Sequence, residues 1–276
     1  MIALIVVYQS QQTLRQCVDA AITSGVERVV IWDNSPRPVA EPALRSRRSS
    51  HVTIFHDGKN LGFGAAMNRA FDQVEPRPDE EVLLLNPDCI ASYDALQRMS
   101  STLSSPGIGI VGPRMHYADG RAGISGGTKP TLIKEALAQT RVDDLLPDRA
   151  RQWAVNTITR RRGSGGYGDT LVQGDPIQVD WLSGFCMLMR AETYRSVRGF
   201  DEDFFLYFED VDLCERIRQS GLACVIDRRT QLLHYESTST SMAGKSALYR
   251  AGMWTYFSKH GNPFERAIAR TVRGRR

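Results

Sequence analysis

The sequence has no long apolar run. The longest run near its start, Ile2 to Val7, is six residues, whereas a helix that crosses a membrane needs about 20. A basic segment followed by an apolar region and a small-residue cleavage site is also missing, so the sequence shows no secretory signal. We therefore expect a cytoplasmic protein.

Cysteine is scarce and follows no pattern. The five cysteines are an odd number and form no C-x-x-C pair, the spacing that is typical of zinc and redox sites. We expect all five to be reduced and mostly buried, as small apolar side chains usually are. They are Cys17, Cys89, Cys186, Cys214 and Cys224.

A strong charge imbalance is lacking as well. The net charge is +4, from 35 basic and 31 acidic residues, which is too small to indicate a nucleic-acid partner. Hydrophobic residues make up 42% and charged residues 24% of the chain, close to the values for globular proteins. Disordered and fibrous classes are therefore excluded.

About the first hundred residues alternate short apolar runs with helical patterns, which is typical of βαβ units and a parallel sheet. The predicted strands are Ile2–Tyr8, Arg28–Trp32, Val52–His56 and Val82–Leu85. Polar residues follow three of these strands, at the edge where open α/β sheets bind ligands. The sequence thus predicts an α/β fold with a ligand site at that edge.

The pattern weakens between residues 120 and 178 and then returns. Leu132–Ala138 reads as a short helix, and the glycine-rich Gly163–Gly168 is either a mobile lid or a surface linker. Two strands are predicted at Ala223–Ile226 and Gln231–Leu233. A final helix is expected over Ser246–Lys259.

Two segments after the early strands have the chemistry of a nucleotide site. Asp33 ends a strand and could bind a ribose or a base, although a turn-capping role is equally expected. The segment Asn60–Asn68 places glycines at the start of a helix, where free N–H groups favour anions. It matches neither a P-loop nor G-x-G-x-x-G, which excludes those two phosphate-binding motifs.

Carboxylates at two further places could carry metal binding and catalysis. Asp88 follows a strand and His234 ends another, and together they could hold a divalent cation such as Mg²⁺ or Mn²⁺. Glu209 and Asp210 open a helix behind four aromatic residues, a setting that could raise a carboxylate pKa toward use as a base. The alternatives are a structural histidine and compensation of the helix dipole.

Taken in order, these segments resemble the family 2 glycosyltransferases with a GT-A fold, and most closely their rhamnosyltransferase-like branch. The motifs that carry the resemblance are Asn60-Leu61-Gly62-Phe63-Gly64 with Asn68, Leu85-Asn86-Pro87-Asp88, Trp181-Leu182-Ser183-Gly184, Gly199-Phe200-Asp201-Glu202 and Phe208-Glu209-Asp210-Val211-Asp212-Leu213. The resemblance implies a Rossmann-like, mostly parallel nucleotide-binding sheet with helices on both faces, and a C-terminal acceptor-binding portion. It divides a domain at 1–262 into a nucleotide-sugar half, 1–118, and an acceptor and catalytic half, 119–262.

The same resemblance implies roles for individual residues. Those on the donor side are Val7, Tyr8, Asp33, Asn60, Gly62, Asn68 and Asn86. Asp88 and His234 would hold the Mg²⁺ or Mn²⁺, and Asp210 would be the catalytic base with Glu209 beside it. Those facing the acceptor are Trp181, Ser183 and Gly184. The family's usual Asp-x-Asp is Asn86-Pro87-Asp88 here, so one expected carboxylate is missing.

The activity implied is an inverting transfer of a sugar, with dTDP-L-rhamnose as the preferred donor, to a hydroxyl of a bacterial cell-wall, lipid-linked or surface glycan. A UDP-sugar donor and a non-catalytic carbohydrate-binding relative are the alternatives. A nucleotidyltransferase would need a glycine-rich loop after the first strand, and Gln9-Ser10-Gln11-Gln12 has no glycine.

The last residues, 263–276, form a basic amphipathic tail. Phe264, Ala267, Ile268 and Val272 recur at helical spacing, and Arg266, Arg270 and Arg273 occupy the other side. The pattern suits peripheral contact with the anionic inner face of the cell membrane, or packing on the protein's own core.

Overall fold

The computed structural model describes residues 1–45, 50–135, 170–235 and 242–273. Its strands are β1 (Ile2–Val7), β2 (Arg28–Asp33), β3 (Val52–His56), β4 (Glu81–Leu85), β5 (Cys89–Ile90), β6 (Ile108–Tyr117), β7 (Gly126–Gly127), β8 (Ile177–Val179), β9 (Trp181–Leu182), β10 (Cys186–Arg190) and β11 (Ala223–His234). Its helices are α1 (Gln11–Thr23), α2 (Ala40–Leu44), α3 (Phe63–Asp72), α4 (Tyr93–Leu103), α5 (Ala191–Ser196), α6 (Glu209–Gln219), α7 (Met242–His260) and α8 (Pro263–Arg273).

One large sheet has the strand order β3-β2-β1-β4-β10-β6-β11-β5, and β8 also pairs with β11. The first four strands in this order run parallel. β10 runs antiparallel to both of its neighbours, β4 and β6. The carboxyl end of β4 and the start of β10 therefore meet at the same edge, since Cys186 pairs with Leu85. β7 and β9 form a separate antiparallel ribbon.

Both faces of the sheet are buried, each in its own apolar cluster. Successive strand residues point to opposite sides and so enter different clusters. In β1, Ala3, Ile5 and Val7 pack toward α1, while Ile2 and Leu4 pack toward α3. Burial on both faces explains the continuous apolar runs of the early strands. The mostly parallel sheet with helices on both faces is the fold class that the sequence predicts.

A third apolar cluster lies beside the start of α6. Phe204 and Phe208 pack there with Met253, Tyr256 and Phe257 of α7. The last helix, α8, contributes the fully buried Ala269 to the same cluster. The C-terminal helices thus form a support behind the segment that leads into α6.

β6 is not among the strands that the sequence predicts. This strand of 10 residues contains two glycines and Pro113, which weaken any strand pattern. It nevertheless pairs with β10 on one side and β11 on the other. Burial between two strands therefore overrides the local propensity.

The two strands predicted near the C-terminus are one continuous strand, β11. Its pairing with β6 shifts register between Asp227 and Gln231, where the polar residues had suggested a break. The carboxylate of Asp227 is fully buried, but it accepts hydrogen bonds from the Thr102 hydroxyl at 2.7 Å and from the Arg229 guanidinium. These partners offset the cost of burying the charge inside the irregularity.

The predictions for the segment between residues 120 and 178 can be compared with the structure only in part. The helix predicted at Leu132–Ala138 is helical over 132–135, and its remainder, like the Gly163–Gly168 stretch, lies outside the described residues. The division at residues 118 and 119 stays a prediction. Among the helices that the structure describes, none is long and apolar enough to cross a membrane.

Candidate active site

The loop after β2 is shaped by Asp33 and Asn34. The buried Asp33 carboxylate accepts hydrogen bonds from the N–H groups of Val39 at 2.6 Å and Ala40 at 2.8 Å, which fixes the start of α2. Its other oxygen accepts from the Ser35 N–H at 3.1 Å. Contact with a nucleoside stays a prediction for Asp33, whose two carboxylate oxygens are already engaged by the backbone.

Asn34 connects three segments of the predicted donor side. Its amide nitrogen donates to Asn60 Oδ1 at 2.9 Å and to the Gly62 carbonyl at 3.0 Å, and its oxygen accepts from the Leu61 N–H. Its own N–H donates to the Val7 carbonyl at 2.7 Å. The sequence indicated only a turn here, because these partners lie more than twenty residues away along the chain.

Gly62 lies where the loop between β3 and α3 meets the segment before α6. Its φ is +84°, and a Cβ at this position would come within 2.3 Å of the Phe205 carbonyl oxygen. The same oxygen accepts the N–H of Phe63 at 2.9 Å. The Phe63 N–H at the start of α3 is therefore already used within the protein, and the close contact explains the glycine.

The remaining donor-side candidates differ in how much surface they offer. Val7 is fully buried in the core and Tyr8 is partly exposed. Asn68 uses its amide within the fold: its oxygen accepts from the Tyr194 hydroxyl at 2.6 Å and from the Phe200 N–H, and its nitrogen donates to the Phe200 carbonyl. Their donor roles stay predictions, and Asn68 holds the turn around Phe200.

The Asn86-Pro87-Asp88 loop is tied down on both sides. Thr13 of α1 donates to the Pro87 carbonyl at 3.1 Å, and the Asn86 N–H donates to the Phe185 carbonyl at 2.9 Å. Its last residue, Asp88, is 3% exposed. The loop therefore presents its carboxylate from a fixed backbone.

Asp88 and His234 meet at the end of β11, as the sequence predicts. The distance from His234 Nε2 to Asp88 Oδ1 is 3.0 Å. Nδ1 of His234 is buried, with no hydrogen-bond partner in the described ranges. A carboxylate oxygen and an imidazole nitrogen at this separation, on a fixed loop, fit a divalent cation.

Glu209 and Asp210 open α6 after two residues with left-handed backbone, Tyr207 at φ +70° and Phe208 at φ +68°. Asp210 accepts the N–H of Gly184 at 2.9 Å on Oδ2 and the N–H of Val211 at 2.8 Å on Oδ1. Burial raises the pKa of Asp210, although these hydrogen bonds oppose the shift. A raised pKa brings a carboxylate closer to the range of an effective base.

Glu209 is more deeply placed, at 5% exposure. Its Oε2 is buried and has no hydrogen-bond partner among the described residues. Burial and, second, repulsion from Asp210 raise the pKa of Glu209 well above its usual value. Of the two carboxyl groups, Glu209 is therefore the one that keeps its proton more readily.

Two adjacent residues, Gly184 and Phe185, connect Asp210 to the loop of Asp88 through their backbone. Gly184 donates its N–H to Asp210, and Phe185 accepts the N–H of Asn86 at 2.9 Å. The ring of Phe185 also lies 6.0 Å from the ring of His234. The Gly184–Phe185 dipeptide thus brings the candidate base and the candidate metal site together.

The sequence model of Glycosyl transferase family 2 matches residues 2–198, which is more than half of the chain. The chain belongs to glycosyltransferase family 2. The N-acetylglucosaminyl-diphospho-decaprenol L-rhamnosyltransferase of Mycobacterium tuberculosis (strain CDC 1551) is 30% identical over 272 residues, covering 92% of this chain and 83% of the relative. Rhamnosyltransferase WbbL of Escherichia coli (strain K12) is 27% identical over 183 residues, covering 64% of this chain and 62% of that protein. The predicted rhamnosyltransferase-like branch is thereby confirmed.

Solved structures show the same fold. GalNAc-T7, crystallised with UDP, GalNAc and Mn²⁺, superposes with a TM-score of 0.60 at 12% identity, covering 94% of this chain and 50% of GalNAc-T7. S. aureus TarS gives a TM-score of 0.54 at 13% identity, covering 94% of this chain and 72% of the TarS chain. The predicted GT-A fold is confirmed.

The acceptor candidates of this family 2 enzyme lie on and after β9. The Trp181 indole donates to the Thr128 carbonyl at 3.1 Å, and the Ser183 N–H donates to the Ser125 carbonyl at 2.9 Å. Gly184 is the residue that orients Asp210. Acceptor contact by Trp181, Ser183 and Gly184 stays a prediction, and Gly184 is the one of these three with a hydrogen bond to the candidate base among the described residues.

A charged network from α7 supports α6, and the sequence analysis does not predict it. His260 Nε2 lies 2.6 Å from Oδ1 of the fully buried Asp212, whose Oδ2 pairs with Arg216 at 2.7 Å. Lys259 pairs with Asp203 at 2.7 Å and also with Asp201. The network ties α7 to the first turn of α6 and to the segment before it, and the pairs that α7 makes are too distant in sequence to have a spacing signature.

Proposed function

We propose that this glycosyltransferase is metal-dependent and inverting, and that it transfers L-rhamnose from dTDP-L-rhamnose to a hydroxyl of a lipid-linked or surface glycan. The observation that carries the proposal is the Gly184–Phe185 dipeptide, which holds the Asp210 carboxylate on one side and the Asp88 loop on the other. A base and a cation site that share one backbone anchor suit the direct displacement of a diphosphate.

In the proposed reaction, the Asp210 carboxylate accepts the proton of the acceptor hydroxyl while that oxygen attacks the anomeric carbon. The bond from the anomeric carbon to the diphosphate oxygen breaks on the opposite face, so the configuration inverts. The Gly184 N–H keeps the carboxylate oriented, and Glu209 keeps its proton, which limits charge repulsion at the start of α6. An ion held by Asp88 and His234 would stabilise negative charge on the leaving diphosphate.

The choice of donor and acceptor rests on the relatives. The M. tuberculosis relative is named for transfer of L-rhamnose to N-acetylglucosaminyl-diphospho-decaprenol. Its coverage of 92% of this chain at 30% identity supports the same classes of donor and acceptor here. GalNAc-T7 was crystallised with UDP and Mn²⁺, which keeps UDP-sugars as the alternative donors.

The proposal is tested by transfer to a synthetic polyprenyl-diphosphate GlcNAc acceptor, with dTDP-L-rhamnose and a panel of UDP-sugars. We expect dTDP release and product formation with the rhamnosyl donor, both dependent on Mg²⁺ or Mn²⁺. The NMR signal of the product's anomeric proton should show the configuration opposite to that of the donor. Transfer from a UDP-sugar alone would overturn the donor, and a retained configuration would overturn the mechanism.

We further propose that α8 contacts an anionic membrane surface when the acceptor is lipid-linked. Its Ala269 packs inward, whereas Phe264 is 73% exposed and Arg266 and Arg270 are exposed on the same helix. Exposed aromatic and basic residues favour binding at a lipid interface. Cosedimentation with phosphatidylglycerol vesicles should fall in a Phe264→Ser, Arg266→Ser, Arg270→Ser variant, and unchanged binding would contradict the contact.

A further inference from the structure

A third donor atom lies beside Asp88 and His234. Cys89 Sγ, one carboxylate oxygen of Asp88 and one ring nitrogen of His234 all lie within 4.8 Å of one another. All three residues are buried or partly buried. In the ranges that the structure describes, this is the group of three ligand-type side chains close enough to hold one ion.

The sheet places these atoms together. Cys89 of β5 and His234 of β11 are directly opposite partners in an antiparallel pair, so their side chains project to the same face, with Cβ atoms about 4.5–5.5 Å apart. The Tyr235 N–H donates to the Asp88 carbonyl at 2.9 Å and extends the pairing by one residue. The three side chains therefore occupy fixed backbone positions rather than an adaptable loop.

The chemistry of this set is unusual for a magnesium site. Mg²⁺ prefers octahedral oxygen ligands, whereas one thiolate, one imidazole and one carboxylate suit Zn²⁺ and other borderline or soft ions. With Zn–S bonds near 2.3 Å and Zn–N bonds near 2.1 Å, a tetrahedral ion separates its ligand atoms by roughly 3.3–3.8 Å. Atoms within 4.8 Å of one another reach that arrangement by small changes in side-chain torsions.

We propose that Asp88, Cys89 and His234 form a three-ligand Zn²⁺ site in which Cys89 Sγ coordinates the ion. Coordination replaces the hydrogen bond from Cys89 Sγ to the Phe185 carbonyl, which is 3.5 Å long, and the thiol proton passes to the buffer. The ion occupies the same two residues that would hold Mg²⁺ or Mn²⁺ for transfer. The site therefore discriminates among divalent ions through a residue that a purely oxygen and nitrogen site lacks.

Co²⁺ titration of the full, metal-free chain tests the proposal, since a cobalt–thiolate bond gives a charge-transfer band in the near ultraviolet. We expect the wild-type chain to show this band, to saturate with a single ion per chain, and to lose it on addition of equimolar Zn²⁺. A large excess of Mg²⁺ should leave the band in place. Absence of the band from the wild-type chain, or its loss to Mg²⁺, would overturn the proposal without any variant.

Variants then identify the thiol. Cys89→Ser should remove the charge-transfer band, and His234→Ala should weaken Co²⁺ binding by at least about 100-fold, since even the partners of metal ligands contribute about 10–100-fold. Cys17→Ser is the matched control, because Cys17 is also fully buried and its Sγ donates to the Asn86 carbonyl of the same loop. A band that survives in Cys89→Ser or disappears in Cys17→Ser would contradict the assignment.

The titration contains no sugar nucleotide and no acceptor. A missing band would therefore remove Cys89 from the ligand set while leaving the proposed transfer reaction to its own assay. In the same way, an enzyme with another donor would not alter the expected spectrum. The two proposals fail separately.

Discussion

The loops after β2 and β3 differ from the start of α6 in how completely their buried polar side chains are hydrogen-bonded. After β2 and β3, the side-chain oxygens of Asp33, Asn34 and Asn60 accept hydrogen bonds from other groups of the protein. At the start of α6, the Glu209 carboxyl is buried with an oxygen lacking a hydrogen-bond partner among the described residues, and the pKa values of both carboxyl groups are raised by burial. The second region thus has the buried, raised-pKa carboxyl groups on which the proposed base assignment rests.

The largest expected effect removes the chemistry from the second region and leaves the first intact. Asp210→Asn keeps the size and the hydrogen bond from Gly184 but cannot accept a proton, so kcat should fall by about 10²–10⁴-fold. The KM for the donor should change little, because the donor loops are untouched. Steady-state kinetics of the variant beside Glu192→Gln, an exposed carboxylate on α5, check this, and near-normal turnover of Asp210→Asn would remove it as the base.

The next effect breaks the boundary between the two regions. Gly62→Ala places a Cβ within 2.3 Å of the Phe205 carbonyl oxygen at a φ of +84°. We expect a loss of about 1–3 kcal/mol from backbone strain alone, with a further loss from displacement of the Phe205 segment, measured by urea unfolding.

Gly120→Ala is the matched control for that variant. Gly120 has a φ of +83° but nothing within 4 Å of its Cβ position. Its alanine variant should therefore lose stability through backbone strain alone, without a close contact. Equal losses for the two alanine variants would mean that contact between the regions contributes nothing.

A smaller effect comes from the support behind the second region. His260→Ala removes a partner of the fully buried Asp212, and the loss of a hydrogen bond to a charged group should lower the free energy of unfolding by about 1.5–3 kcal/mol. His260→Gln, which keeps a side-chain N–H donor, should recover part of that loss. Thermal unfolding of both variants checks the order, and an alanine variant as stable as wild type would exclude the network as a support.

The last expected effect concerns pH. Because the pKa of Glu209 is raised in the folded state, its contribution to stability is fully present below its unfolded value of about 4.5 and is lost as the pH rises through the folded pKa. Glu209→Gln should therefore unfold with a flatter pH dependence, gaining stability relative to wild type at alkaline pH by about 1.4 kcal/mol per unit of pKa shift. Melting temperatures across the acid-to-alkaline range check the sign, and a variant that loses stability at high pH would contradict it.

Much of the fold follows from local sequence, because buried parallel strands are continuous apolar runs. β3 has its predicted bounds, and β1, β2 and β4 differ from prediction by a single residue at one end. β6 could not be found in this way, since Gly109, Gly112 and Pro113 remove the strand pattern while pairing on both sides supplies the stability.

The candidate site divides in a similar way. The meeting of Asp88 with His234 follows from two strand ends with polar residues at one edge. The Gly184 N–H that orients Asp210 and the histidine that pairs with Asp212 come from residues 26 and 48 positions away. No local pattern encodes those distances. The cysteines are buried thiols, as predicted. The sequence analysis assigns Cys89 only an apolar role and does not predict its position beside Asp88 and His234.

The antiparallel strand β10 has a practical consequence for remodelling this enzyme. It begins immediately after Gly184 and Phe185 and is paired on both sides, by β4 and β6, so the backbone between the candidate base and the candidate metal site is itself held in the middle of the sheet. Loops that select the sugar or the acceptor can then be exchanged on either side without resetting that spacing. A chimaera should therefore take β4, β10 and the start of α6 from one parent, since the Asp88 loop precedes the Gly184–Phe185 dipeptide and Asp210 follows it.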